Sequence, residues 1–437
     1  MGALSMVSAL AMGCGNPAAQ PSSGITETNK DTSKPVGVST APVTLQFYQQ
    51  SANISDDEYN RFVVEPVKKK YPHITLELVR AGQGKTIQDL IAGGNIPDIF
   101  FTGLGSITNF EKLDLLTDFA ELVKKHGLDL NKFEPGALEE IRASASKKQL
   151  FALPFSDSFS AMFYNKDIFD KYGVPYPKDN STWNDIIELG KQIYQKSSRQ
   201  TFAANPGSLV QFGSALSLPV VDAKSEKAAL ATDQWKNVLQ MYKTLYDLSP
   251  DAGFQNNEPA NRAFYDQKLA MLGSQSARVG ELEELYKKGN SLNWDVTTYP
   301  SFQEAPGKRR TMGLHTMSIS SQSKYKDQAF QVISLLTESE NQLKITQNGR
   351  LTALKDQKIK ESFGKELKSV SGKNVVSIFK SVPALSPPTT SYDGLANKEL
   401  NAAAKKVLES GVDVNTALRD AEERANKAIA AEKTAEK

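Results

Sequence analysis

Between Val43 and Phe101 the hydrophobic period switches repeatedly between two and about three and a half, and that switching limits the folds open to the chain. Val43, Leu45 and Phe47 alternate with Thr44, Gln46 and Tyr48, which predicts a strand ending at Gln49-Gln50-Ser51. Tyr59, Phe62, Val63 and Val67 then follow helical spacing as far as Lys70. A second strand carries Ile74, Leu76 and Leu78, a short helix carries Ile87, Leu90 and Ile91 up to Gly93-Gly94, and Pro97 to Phe101 reads as a third strand. Strand, helix, strand, helix, strand at these separations implies parallel pairing with right-handed crossovers, so the fold class is α/β. In such sheets ligands sit beyond the carboxyl ends of the strands. Gln49, Gln50 and Thr102 fall at such ends.

A second organising stretch lies at residues 150–183. An apolar run stops at Pro154, a polar bend follows at Ser156-Asp157-Ser158, and Phe159, Ala161 and Phe163 resume an alternating pattern. A helical turn around Ile168 and Phe169 ends at Gly173, and Thr182-Trp183-Asn184-Asp185 carries the capping pattern of a further helix. The chain is expected to leave one lobe here and enter another. With 437 residues, 39% of them apolar, there is enough material for two cores.

Further along, helices are expected at Asn184 to Gln195, Gln234 to Leu248 and Arg262 to Asp266, and a strand at Leu269 to Leu272 stops at Gly273-Ser274-Gln275-Ser276. Met312 to Ser320 reads as a strand of the first lobe, and one helix is expected from Tyr325 to Asn348, closed by Gly349. A proline-rich loop at Pro383 to Pro388 precedes Tyr392 and two helices, the second with Leu418, Ala421, Ala425 and Ala428 on one face.

The order Pro154-x-Ser156-Asp157, then FYNKDIFDKYGVPYP from Phe163 to Pro177, then a helix capped at Thr182, resembles the crossover of extracellular solute-binding proteins of bacterial ABC importers, the maltodextrin-binding-protein-like sugar family. The run from Gly94 to Ile99 resembles that family's G-x-x-P-D-I segment, and further matches extend to about Ile429. The resemblance implies a two-lobe, periplasmic-binding-protein-like fold (type II) with parallel-dominated sheets flanked by helices and a hinge between the lobes. Crossings are expected near Phe151 to Asp157, Thr298 to Gln303 and Leu351 to Leu354. Lobe 1 would comprise 43–153 and 303–352, and lobe 2 would comprise 154–302 and 353–437. It further implies a monomer that binds a sugar outside the cell, with an oligosaccharide the expected ligand, and passes it to the transmembrane permease subunits of an ABC importer, without cofactor or metal.

The N-terminus fits that picture. Ala3 to Gly13 is apolar and rich in small residues, too short for the roughly 20 residues of a spanning helix. It ends in Ala11-Met12-Gly13-Cys14, which resembles a lipobox, so residues 1–14 read as a lipoprotein signal peptide with lipidation at Cys14, the only cysteine. Residues 15–42, rich in Pro, Ser, Thr and Gly, read as a flexible tether holding the body near the membrane surface.

Other chemistries find little footing. With 52 basic and 50 acidic residues the net charge is +2, which argues against nucleic acid as a partner. Gly84-Lys85-Thr86 lacks the earlier glycine of a phosphate loop, because that position is Val79. His73, His126 and His315 lie in no metal-ligand spacing, and there is no G-x-S-x-G. A glycosidase needs only two placed carboxylates and stays open as an alternative, as does a binding protein for a solute other than sugar. For a sugar, aromatic faces combine with amides, carboxylates and small hydroxyls. The candidate contacts are Gln49, Gln50, Thr102, Asp157, Phe159, Gln211, Ser274, Gln275, His315 and Tyr392. Phe159 reads equally as core, Asp157 as a turn cap and His315 as a core histidine, whereas Tyr392 is favoured as a stacking platform. Trp183 and Trp235 read as structural.

Overall fold

Leu45 and Phe47 of the first strand are fully buried on one face, and Tyr48 is fully buried on the other. This two-sided burial is what a parallel sheet covered by helices requires. The structure, a computed structural model, describes residues 37–250 and 257–435; Cys14 and most of the 15–42 segment lie outside them.

In chain order the strands are β1 (Val43–Gln50), β2 (Ile74–Arg80), β3 (Ile99–Gly103), β4 (Ala152–Ser158), β5 (Ser160–Asn165), β6 (Phe202–Asn205), the short pair β7 (Val221–Asp222) and β8 (Lys227–Ala228), β9 (Leu269–Gln275), β10 (Trp294–Thr298), β11 (Lys308–Arg309), β12 (Gly313–Ile319) and β13 (Val382–Pro383). The first sheet has the order β2-β1-β3-β12-β4. Its β1 is parallel to β2 and β3, whereas β12 is antiparallel to both β3 and β4. The second sheet, β10-β5-β9-β6, is mixed: β5 is antiparallel to β10 and β9, and β6 is parallel to β9.

Each sheet has its own core. Leu45, Phe47, Phe101, Phe155, Met317 and Phe330 belong to the first, and Phe159, Phe163, Trp183, Phe212, Met271 and Leu418 to the second. The change of sheet falls between Ser158 and Ser160. The chain returns after Thr298, and between Leu351 and Phe363 it touches both cores: Ala353, Leu354 and Ile359 pack in the first, Leu351 and Phe363 in the second.

The polar bend expected at Ser156 to Ser158 is part of β4. Pro154 is tolerated there because β4 is an edge strand and its register against β12 shifts between His315 and Thr316, leaving Phe155 as the extra residue of a bulge. The helix expected from Tyr325 to Asn348 is two helices, Lys326–Leu336 and Ser339–Gln347, because Glu338 adopts extended backbone (φ −70, ψ 148). On the closing helix, Val414–Ala435, the buried face runs Leu418, Ala421, Ala425 and Ile429, and Ile429 takes the place expected for Ala428. Thr182 and Asp185 form the anticipated capping box, and Thr86 and Asp89 form another, so the Gly84-Lys85-Thr86 loop serves to start a helix.

Candidate ligand-binding cleft

The carboxyl ends of β1 and β3 open on a cleft of about 600 Å3 between the two cores. Ser51, immediately after β1, has φ 58, a left-handed backbone uncommon for a residue with a side chain. The strain places its hydroxyl to accept the Gly103 N–H at 3.0 Å and to lie 3.0 Å from Ser106 Oγ. Such outliers concentrate at binding positions. Both Ser51 and Gly103 line the cleft.

The second wall comes from Ser158, Gln275 and the segment 386–397, in which Asp393 opens the helix Asp393–Ser410 and Asn397 lies one turn on. Asp393 Oδ1 accepts the Thr390 N–H at 3.1 Å and the Thr390 hydroxyl at 2.7 Å, while burial pushes its carboxyl above the ordinary range. Oδ1 of Asn397 is buried without a hydrogen-bond partner. Across from it Glu140, on the helix Pro135–Ala143, accepts the Ser386 N–H at 3.0 Å.

His315 enters from β12. Its Nδ1 lies 3.2 Å from Arg350 Nη1 and 3.3 Å from Ser156 Oγ. A guanidinium can only donate, so Nδ1 accepts and the ring proton sits on Nε2. Burial, then the Arg350 charge, pushes the imidazole down to about 3 despite an opposing pull from Glu58. Burial also works against the Glu58 carboxylate, but bonds from Arg350 Nε at 2.7 Å and Nη2 at 2.8 Å outweigh it and hold the carboxyl below its usual range.

A neutral buried histidine has a consequence for pH. The unfolded chain takes up a proton near the ordinary 6.5 and the folded one only near 3. The stabilisation is therefore fully present above pH 6.5 and is lost as pH falls toward 3, at about 1.4 kcal/mol per pH unit. The stability difference between the parent and His315→Gln should narrow by about 2 kcal/mol between pH 7 and pH 5. Urea titrations at the two pH values check this, and a constant difference would count against a neutral imidazole.

Of the ten candidate contacts, Gln275 and His315 line the cleft. Thr102 is buried beneath it, with Oγ1 3.4 Å from Thr316 Oγ1. Gln49 accepts from Arg80, and Gln50 has a buried, unpartnered Oε1. Asp157 accepts from Arg309 Nη2 at 3.1 Å, Gln211 from Arg310 Nη1 at 3.3 Å and Ser274 from Arg278 Nε at 3.4 Å. Phe159 is fully buried edge-on to Phe363, with ring centroids 5.3 Å apart. Tyr392 is 6% exposed, with Lys112 Nζ 5.6 Å and Lys433 Nζ 5.2 Å from its ring centre. Among the described residues lining the cleft there is no Phe, Tyr or Trp. Sequence reasoning missed Ser51, Asn109, Glu140, Asp393 and Asn397. Ser51 closes the predicted first strand, and Asp393 directly follows Tyr392, so both were within reach; Glu140 had no local signal.

The fold has counterparts among known proteins. An sn-glycerol-3-phosphate-binding periplasmic protein, UgpB, of Brucella melitensis is 24% identical over 410 residues, covering 87% of this chain and 88% of its own. An ABC substrate-binding protein of Listeria monocytogenes, solved in complex with cycloalternan, superposes with a TM-score of 0.72 at 18% identity, covering 89% of this chain and 99% of its own. The sugar-binding protein MalE of Xanthomonas citri superposes with a TM-score of 0.69 at 17% identity, covering 90% and 98%. These likenesses establish the two-lobe periplasmic-binding-protein fold. Residues 53–343 match the sequence profile of the bacterial extracellular solute-binding proteins, and the chain belongs to that family.

Proposed function

We propose that this protein captures a carbohydrate outside the membrane and delivers it to the permease of an ABC importer. The observation that carries the reading is the cleft itself: short hydroxyl and amide side chains from two separate cores face one another across about 600 Å3, a volume within the range of small-molecule sites. Lobe 1 is taken as 43–158 with 313–350, and lobe 2 as the described residues of 159–312 with 364–435, residues 351–363 crossing between them. Closure about the crossings excludes water, strengthens each polar contact and holds the solute; opening against the permease frees it. The sugar-bound neighbours and the family both support this reading. Cys14, as the lipidated first residue of the mature protein, would hold a monomer at the outer face of the cell membrane through its tether, and a diacylglyceryl-modified N-terminal cysteine in mass spectra is the test of that part.

A glycosidase is the second reading, and Glu140 and Asp393 in one cleft are its specific support. Both carboxyls, however, are engaged with the 386–390 segment. The family's members are binding proteins. The deciding experiment screens a panel of mono- and oligosaccharides by thermal shift. A ligand at 100 times its dissociation constant adds about 2.7 kcal/mol to the native state, and a shift of several degrees should result. Saturated protein should contract in solution scattering and return the sugar unchanged. Cleavage products that vanish in Glu140→Gln would move the function to hydrolysis.

A further inference from the structure

The charge lining the cleft bears on which solutes it admits, granted that it is a carbohydrate site. Glu140 and Asp393 contribute carboxyls, and among the described lining residues there is no Lys or Arg. His315 does not supply a cation, because its Nδ1 is held by Arg350. The Arg350 charge is itself met by both oxygens of Glu58. The helix Asp393–Ser410 begins at the cleft, and a helix N-terminus is worth about half a positive charge. Asp393 occupies that first turn and offsets it. The remaining unmet need is for donors: Oδ1 of Asn397 is a buried acceptor without a partner, which is costly until a ligand hydroxyl reaches it.

We infer that the cleft selects uncharged, hydroxyl-rich solutes and rejects their phosphate esters, with Asn397 as a specificity-determining residue that accepts a ligand hydroxyl. A phosphate dianion would bring its charge beside the Glu140 and Asp393 carboxyls, and no buried cation of the cleft compensates its desolvation. The contrast is local. An adjoining depression of about 880 Å3, which shares Thr108, Ser144 and Ser391 with the cleft, is lined by Lys112, Lys147 and Lys148 as well as by Glu111 and Asp114.

The test titrates the full chain calorimetrically with matched pairs, glucose and glucose 6-phosphate, trehalose and trehalose 6-phosphate, together with maltotriose and sn-glycerol 3-phosphate. A neutral sugar that binds should lose at least about 100-fold in affinity on phosphorylation, the scale of about 2.7 kcal/mol. Asn397→Leu should weaken the neutral sugar about tenfold without lowering the melting temperature, and Asp393→Asn should narrow the gap between the members of a pair. Phosphate esters binding as tightly as their neutral partners, in either cavity, would overturn the inference while leaving the carbohydrate reading intact. Silence toward every neutral and phosphorylated probe would overturn the carbohydrate reading first, and the inference with it.

Discussion

Asp157→Ala should lower the unfolding free energy by about 3–5 kcal/mol, the usual result of removing one partner of a buried ion pair. The side chains of Arg309 and Asp157 are 5% and 8% exposed and meet at 3.1 Å. Arg309 Nε and Nη1 and Asp157 Oδ1 have no other partner, so nothing else would take up the stranded guanidinium. The urea midpoint should fall with little change in slope. Replacing both residues by apolar ones, Asp157→Leu with Arg309→Met, should recover most of the loss, because the pair repays its desolvation only when both members are present. If Asp157 instead contacts the solute, Asp157→Ala will unfold at the parent midpoint and lose sugar affinity. That outcome would rule out a structural pair.

Phe159→Ala should cost about 3–5 kcal/mol of stability through the cavity it leaves in the second core. The ring is fully buried and edge-on to Phe363, so little can collapse into the space without moving the segment after Ile359. A platform residue would behave in the opposite way, keeping stability while losing about 1–3 kcal/mol of binding. Parallel unfolding and binding measurements on this one variant therefore assign the residue.

Much of the architecture was readable because local and global signals agree. The period switches from Val43 to Phe101 became β1, β2 and β3 with their helices, and the capping pair Thr182 and Asp185 started its helix where expected. The pairing of β12 between β3 and β4 was not readable, since nothing in Gly313–Ile319 states which distant strands will flank it. The cleft was less legible still. Strand-end logic led to Gln275 and stopped one residue short of Ser51, and β12 supplied His315. It also selected Gln49 and Gln211, which face arginines. A polar residue at a strand end can turn to a solute or to a neighbouring guanidinium, and only the packed geometry decides between them.

The position of β12 reaches beyond the folded molecule. Leu314, Met317 and Ile319 are buried in the first core, and their strand fills the gap between β3 and β4. Everything from Ser160 to Thr298, the whole sheet of the other core, lies between β4 and β12 in the chain. During synthesis the N-terminal half therefore emerges with a hole in its sheet, and the long-range pairing that closes it must wait. Closing the first sheet is a long-range step that waits for the chain of the second core, so the topology that interleaves the two cores also holds back the first from folding alone.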